Sequence, residues 1–160
     1  MTHIAATVHA SAVLVGAHAV LIRGPSGAGK SRLALQLIEA ARAGTLRFAR
    51  LVGDDRVYLE PAHGRLLVRP AEALAGLIEV RGAGIRQLPH EPCAVVGLVV
   101  DLAAADAERL PQADRQYTDI AGVNLPRLAV PAGQEALPAV LALLISARCE
   151  GAVAAPEPAA

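Results

Sequence analysis

The feature that most constrains the fold of this chain is a glycine-rich segment of eight residues near its N-terminus. It fits the pattern G-x-x-x-x-G-K-[ST] at every fixed position. Apolar residues 19–22 precede it, and apolar residues at helical spacing follow it. The sequence therefore predicts a strand, a glycine loop and a helix in direct succession, which is the arrangement of a phosphate-binding P-loop. The eight residues are Gly24, Pro25, Ser26, Gly27, Ala28, Gly29, Lys30 and Ser31.

Such a loop binds phosphate for physical reasons. Glycines allow successive backbone N–H groups to point at one anion without Cβ clashes. The helix that begins near Lys30 adds free N–H groups and the positive end of its dipole. We expect Lys30 to reach the outer phosphates of a nucleotide and the Ser31 hydroxyl to ligate Mg²⁺. The loop thus predicts that the chain binds a nucleoside triphosphate with Mg²⁺, and it leaves the reaction open.

Length and composition favour one α/β domain, residues 1–150, followed by a disordered tail at residues 151–160. Apolar residues form 54% of the chain and aromatic residues only 2%, which suits an aliphatic core of interleaved strands and helices. The formal net charge is zero, so no electrostatic argument favours nucleic acid or a membrane as partner. The chain has no signal-peptide pattern and no apolar run of the ~18 residues that a membrane span needs. We therefore expect a cytoplasmic protein.

Periodicity predicts further elements around the loop. A β-hairpin is expected around the turn-rich tetrad at residues 61–64, between the strands predicted at 57–60 and 65–68. Pro126 favours an edge strand, because proline cannot donate a hydrogen bond to a neighbouring strand. Strands are predicted at residues 12–15, 19–22, 51–53, 57–60, 65–68, 77–80, 94–100 and within 122–128, and helices from the loop to about residue 43 and at 71–75, 103–110 and 137–148.

Two neighbouring carboxylates, Asp54 and Asp55, follow a short predicted strand. Such a pair at a strand end can face a phosphate site, where one carboxylate orients a metal and the other takes a proton from an attacking hydroxyl. A solvated turn is the alternative for this dipeptide.

A further carboxylate, Glu79, lies near an arginine in a predicted strand. Glu79 and Arg81 alternate with apolar Ile78 and Val80, so they are expected to share one strand face. A carboxylate and a guanidinium suit a metal–phosphate site, and a structural ion pair is the alternative. Asp101 ends an apolar strand as a Walker B aspartate does, which makes it an alternative metal residue.

Four elements, in this order, resemble the catalytic domain of the HPr kinase/phosphorylase family over residues 8–148. They are His9, the glycine loop, a V-x-D-D element at residues 52–55 and an E-[IV]-R-G-x-G-I element at residues 79–85. The resemblance implies a P-loop-containing mixed sheet with flanking helices, a fold of the HPr kinase/PEP carboxykinase kind. It also implies transfer of the γ-phosphoryl group of ATP to a serine of the phosphocarrier protein HPr. Many members also phosphorolyse phosphoserine-HPr.

The resemblance also assigns roles. Asp55 is implied as the base that takes the serine proton, and Asp54 as its support or as a metal residue. Ser31 and Glu79 would hold Mg²⁺, Lys30 would stabilise charge on the γ-phosphate, and Arg81 would line the site. His9 would contact the phosphate or steady the aspartate pair.

The chain departs from the family pattern in several places. It looks like a short form that consists of the catalytic domain only. The family's active-site arginine in a Y-D-R-L segment is missing from residues 117–120, with Arg115 as a weak stand-in. The basic segment that the family ties to dephosphorylation and subunit coupling is reduced at residues 130–135. The kinase direction is therefore the firmer expectation.

Two other functions remain open at this point. One is a small-molecule P-loop kinase, although no arginine-rich lid is evident. The other is a nucleotide-sensing module without catalysis, against which Lys30, Ser31, Asp55 and Glu79 argue. The family assembles as hexamers, so the resemblance also implies a symmetric oligomer.

Overall fold

The fold is built mainly from strands. The structure, a computed structural model, describes residues 6–146, so the predicted tail and the end of the last predicted helix lie outside the described residues. In chain order the strands and helices are β1 Val8–Val15, β2 His18–Arg23, α1 Lys30–Arg42, β3 Ala49–Gly53, β4 Arg56–Ala62, β5 Arg65–Pro70, β6 Leu77–Val80, β7 Gly84–Gln87, β8 Ala94–Asp101, β9 Tyr117–Ile120, β10 Val123–Ala129 and α2 Leu137–Ile145. Two 3₁₀ turns, Glu72–Leu74 and Ala113–Gln116, complete the set.

Five of these strands form a closed circuit of hydrogen-bonded neighbours. β1 pairs with β2 and β4, β4 with β5, β5 with the start of β8, and the rest of β8 returns to β2. β3 joins β1, and β10 extends the sheet from the end of β8 to β9. The β2–β8 and β8–β10 pairs are parallel and the remaining pairs of this sheet are antiparallel, so the sheet is mixed, as predicted.

Alternation along the strands creates two separate apolar cores. On β1, Ala10 and Ala12 face a core enclosed by the strands, whereas Val13 faces the core under the helices. On β2, Leu21 faces the enclosed core and Ile22 the helical one. This period of two is what strands buried on both faces require.

Helix α1 covers one side of the sheet with an apolar stripe. Its buried residues recur at helical spacing and pack under β1, β2 and β3. Helix α2 adds Val140 to the same core and carries Pro138 in its first turn, where the missing N–H is tolerated. Both helices therefore lie on the face of the sheet to which the glycine loop belongs.

The structure differs from the predicted elements in three places. Residues 103–110 form turns and not a helix, because Ala103 takes a left-handed φ of 52° and Asp106 is drawn to Arg127. Strands β7 and β9 were not predicted. Strand β10 pairs with β9 up to Pro126 and with β8 from Arg127 onward, so Pro126 lies where one partner replaces the other.

Candidate active site

The predicted order of strand, glycine loop and helix is confirmed, since β2 ends at Arg23 and α1 begins at Lys30. Gly27 and Gly29 have φ angles of 81° and 101°, in the left-handed region that glycine adopts without strain. Gly24 is fixed for a second reason, because a Cβ there would lie 3.0 Å from the backbone oxygen of Leu102. The sequence thus keeps the loop both tightly turned and close to the end of β8.

Lys30 folds back over the loop that precedes it. Its Nζ donates to the backbone oxygens of Gly24 at 2.8 Å and of Pro25 at 3.0 Å, and only 6% of the residue is exposed. Burial lowers the pKa of Lys30 below its usual value, while the negative charges of Asp55 and Asp54 act in the opposite direction. The ammonium therefore lies at the loop, within the field of both aspartates.

Asp54 is the centre of a buried cluster of hydrogen bonds. It is 3% exposed. The Ser31 hydroxyl donates to its two carboxylate oxygens at 2.8 and 2.9 Å, the Ser11 hydroxyl donates at 2.5 Å, and the backbone N–H of Glu79 donates at 3.3 Å. No arginine or lysine forms an ion pair with Asp54 in residues 6–146, so its hydrogen-bond donors are hydroxyl and N–H groups, and the Lys30 ammonium acts on it only from a distance.

The next residue, Asp55, points outward. Its side chain is 62% exposed, and one carboxylate oxygen lies 2.9 Å from Nε2 of His9. Asp55 has a φ of 68°, and the Asp54 carbonyl accepts from the Arg56 N–H across it at 2.8 Å, which is the pattern of a γ-turn. Aspartate tolerates this backbone better than most residues, and such strain is typical of functional sites. The tight turn sends the two adjacent carboxylates to different surroundings.

The other predicted residues lie on the hairpin of β6 and β7. Glu79 is on β6 with an exposed side chain, and its backbone brings the hairpin to Asp54. The prediction that Arg81 shares a strand face with Glu79 is wrong, because β6 ends at Val80 and Arg81 is the first residue of the turn. The turn forms because Gly82 and Gly84 both take left-handed φ angles, of 85° and 81°.

Asp101 belongs to a different cluster. Arg23 donates to both of its carboxylate oxygens, at 2.7 and 2.8 Å, and Arg127 donates at 2.5 Å. Arg127 also forms a two-pronged pair with Asp106, at 2.7 and 2.9 Å. These arginines hold the pKa of Asp101 below its usual range against the effect of burial. Because both oxygens are bound to guanidinium groups, the alternative of Asp101 as a metal residue loses its support.

Arg115 also lies in this second cluster. Its guanidinium is 3.7 Å from Asp106 and 3.6 Å from Glu108. The stand-in role considered for Arg115 therefore has no support from its contacts, which are made with the carboxylates of the 101–116 segment.

Sequence reasoning missed Ser11. It lies two residues after His9 on β1, and both side chains project from the face that carries Val13 toward α1. His9 meets Asp55 while Ser11, fully buried, meets Asp54. The available signal was a polar residue within the apolar run of β1, at the spacing that places it beside His9.

A family comparison agrees with this geometry. Residues 2–148 match the sequence profile described as the HPr serine kinase C-terminal domain. The chain belongs to this family. The match covers the glycine loop, the aspartate pair and the β6–β7 hairpin together.

Individual relatives point the same way. The chain is 35% identical over 134 residues to an HPr kinase/phosphorylase of Clostridium beijerinckii, a match that covers 77% of this chain and 42% of that protein. It is 36% identical over 140 residues to an HPr kinase/phosphorylase of Geobacillus thermodenitrificans, covering 78% of this chain and 41% of the relative. The chain therefore spans about two fifths of the length of these curated relatives.

A solved structure supports the fold. The Hpr(Ser) kinase/phosphatase from Coxiella burnetii superposes with a TM-score of 0.66 at 27% sequence identity, and the match covers 87% of each chain. The mixed α/β fold predicted from the sequence is thus the fold of a member of this family.

Proposed function

We propose that this chain is an ATP- and Mg²⁺-dependent protein-serine kinase whose substrate is the phosphocarrier protein HPr. Membership of the family supports the reaction class, and the relatives are named for it. The observation that carries the proposal is the contrast between adjacent carboxylates beside the glycine loop. Asp54 is buried and accepts a hydrogen bond from Ser31, whereas Asp55 is exposed and lies beside His9.

The loop would hold the phosphates of ATP. Its backbone N–H groups and the start of α1 supply donors and positive potential without any change in protonation. Lys30 already lies over the loop, and a phosphate oxygen would compete with the carbonyl oxygens of Gly24 and Pro25 for its ammonium. Lys30 would thereby stabilise the negative charge that develops during transfer.

Asp54 and Ser31 fit the requirements of a Mg²⁺ site. A hard cation prefers oxygen ligands, and Mg²⁺ usually takes one or two carboxylates along with phosphates and water. Residues 6–146 contain no cluster of three metal-binding side chains, which agrees with a metal held jointly with a nucleotide. When bound, Mg²⁺ neutralises charge between the two outer phosphates. Asp54 would orient the Ser31 hydroxyl toward the metal ion, and the exposed carboxylate of Glu79 would be the remaining protein ligand.

Asp55 would act as the base. The serine hydroxyl attacks the γ-phosphorus, its proton passes to the Asp55 carboxylate, and ADP leaves. Exposure of Asp55 suits an acceptor serine carried by another protein. His9 would orient the carboxylate through its 2.9 Å contact, and Arg81 in the turn after β6 would line the phosphate site.

The test is intact-mass spectrometry of HPr after incubation with this chain, ATP and Mg²⁺. We expect one phosphoryl group per HPr, lost with Lys30→Ala and with Asp55→Asn. Asp55→Asn should still bind ATP, because the side chain touches no part of the loop. Asparagine also tolerates the left-handed backbone at this position, so the variant changes the chemistry and not the fold.

Other outcomes identify the alternative functions. ATP binding without phosphorylation of HPr would favour a nucleotide-sensing module or a small-molecule kinase. Phosphorylation that survives Asp55→Asn would remove Asp55 as the base. Adding inorganic phosphate to phosphorylated HPr then tests the phosphorolytic direction.

Assembly and location are part of the same proposal. No helix in residues 6–146 is long and apolar enough to cross a membrane. We propose a cytoplasmic protein that forms a symmetric homo-oligomer, by resemblance a hexamer. Light scattering after size-exclusion chromatography measures the number of subunits.

A further inference from the structure

A cavity of about 420 Å³ opens beside the glycine loop, away from the two aspartates. This volume lies within the ~300–1,000 Å³ typical of small-molecule sites. One wall is the first half of the loop, residues 25–28, and the opposite wall is the segment of residues 130–135, which we call the wall segment. The lining includes neither Asp54 nor Asp55, so the cavity is separate from the proposed centre of phosphoryl transfer.

The floor of the cavity is formed by hydrogen-bonded strand ends. It lies at the carboxyl ends of β2, β8 and β10, the parallel strands of the sheet, where α/β proteins bind their ligands. Backbone hydrogen bonds join the three strand ends. The Leu102 N–H donates to Arg23 at 2.8 Å, and the Val130 N–H donates to Asp101 at 2.8 Å. The base of the wall segment is therefore fixed at a set distance from the loop.

The lining has the character of a site for a mixed polar and apolar ligand. Leu102, Val130 and Pro131 supply apolar surface, and Gln134 supplies an amide that can both donate and accept. A nucleoside needs both kinds of contact, because its base has apolar faces and a polar edge.

An ion pair ties the wall segment to the helix. Arg32, the residue after the loop, contacts Glu135 at 2.5 Å, and the Gln36 amide contacts the same carboxylate at 3.4 Å. The Arg32 and Glu135 side chains are 70% and 53% exposed, so the pair adds little to stability. Its geometric effect is to keep the far end of the wall segment against α1.

We propose that this cavity holds the nucleoside part of the nucleotide and that the Arg32–Glu135 pair keeps its wall closed. The inference rests on the proposed function, since it requires that the loop bind the phosphates. A triphosphate that begins at the cavity and passes through the loop ends beside Asp54 and Asp55. One molecule would then connect the cavity to the catalytic aspartates.

The test compares ATP with inorganic tripolyphosphate, both with Mg²⁺, by isothermal titration calorimetry. Tripolyphosphate has the phosphate chain without the nucleoside. We expect ATP to bind at least tenfold more tightly than tripolyphosphate. Ala132→Trp, which fills the cavity, should weaken ATP at least tenfold and leave tripolyphosphate within twofold. Ala113→Trp, at an exposed alanine outside the lining, is the matched control and should change neither.

A second pair of variants tests the ion pair without adding bulk. Glu135→Gln should lower the ratio of ATP to tripolyphosphate affinity about threefold. Glu39→Gln, which removes an equal charge from a pair with Arg42 on α1, should leave the ratio unchanged. The ratio is the readout because losing a negative charge alters the attraction of both anions. Thermal unfolding by circular dichroism verifies that each variant folds.

The outcomes separate the two proposals. Wild-type chain that binds neither ligand overturns the proposed function. Equal wild-type affinities for ATP and tripolyphosphate overturn the cavity assignment and leave the phosphate loop in place. Parallel losses of both ligands in Ala132→Trp, or no loss of either, also overturn the cavity assignment.

Discussion

Asp54 and Asp101 are both buried aspartates at strand ends of one sheet, since Asp54 directly follows β3 and Asp101 ends β8. Their hydrogen-bond partners differ in charge. Asp101 is 8% exposed and holds two arginines, so its charge is compensated within the fold. Asp54 is 3% exposed and holds two hydroxyl groups and one backbone N–H. Hydroxyl and N–H donors stabilise a carboxylate without cancelling its charge. The same side chain is therefore neutralised by arginines in one place and keeps its negative charge beside the glycine loop in the other, as the proposed Mg²⁺ site requires.

The comparison explains why a sequence pattern alone misleads at Asp101. Its place after an apolar strand fits a metal-binding aspartate, whereas both oxygens are bound to Arg23 and Arg127. The serine of the glycine loop instead points to Asp54. In this structure, the charge of the neighbouring side chains separates two strand-end aspartates that the sequence pattern does not distinguish.

The largest expected effect is that of Asp54→Asn on catalysis. The amide keeps the shape of the side chain and removes the negative charge, so kcat/KM for HPr phosphorylation should fall by roughly 100-fold and the Mg²⁺ requirement should rise at least tenfold. Initial rates over a Mg²⁺ titration measure both quantities. The thermal midpoint should fall modestly, because an amide nitrogen cannot accept the hydrogen bonds that one carboxylate oxygen receives from Ser31 and from the Glu79 N–H. An unchanged Mg²⁺ dependence would show that Asp54 does not serve the metal, and the contrast with Asp101 would fail.

The matched substitution Asp101→Asn should act on stability. It leaves Arg23 and Arg127 without their shared counterion, and the free energy of unfolding should fall by about 3 kcal/mol. Urea denaturation measures this loss. The phosphorylation rate, measured where the variant is folded, should stay within threefold of wild type. A loss of Mg²⁺ affinity in this variant would mean that Asp101 also serves the metal.

The smallest effect concerns acid stability. Hydrogen bonds from Arg127 lower the pKa of Asp106 from 3.8 to about 2. A carboxyl whose pKa is lowered in the folded state contributes stability above its unfolded pKa and loses it as the pH falls. The loss at Asp106 should lie between about pH 4 and pH 2. Asp106→Asn should weaken the pH dependence of the thermal midpoint over this window. An identical slope of thermal midpoint against pH in the variant and the wild type would contradict the role of the Asp106–Arg127 pair.

Local patterns predicted the parts of the fold that depend on neighbouring residues. The glycine loop with its strand and helix, and the hairpin of β4 and β5, follow from spacing and turn residues. The helix predicted at residues 103–110 failed because distant contacts override local preference there. Ala104 donates to Val130, and Asp106 pairs with Arg127, both far along the chain.

The site follows the same division. The glycine loop and Asp54–Asp55 were found from sequence because each is a contiguous pattern. Ser11 was missed because its contact with Asp54 spans 43 positions, so the polar residue within the apolar run of β1 did not by itself reveal its partner. The pairing of Asp101 with Arg127 is also a contact between residues far apart in sequence, since it depends on the parallel register of β8 and β10.

The closed circuit of strands also sets the order in which the chain can fold. The pairs β1–β2 and β4–β5 are hairpins that form from nearby residues, whereas β8 must pair with β2 from 78 positions away at Arg23 and Asp101. Non-local pairing of this kind is slow because loop closure comes before any gain in contacts. Leu102, which follows β8, packs closely against Gly24 of the glycine loop and donates to the Arg23 carbonyl, so we expect the loop to take its final shape only after β8 has paired with β2. Nucleotide binding should therefore appear late in refolding, together with global structure, and a partly folded chain should not bind ATP.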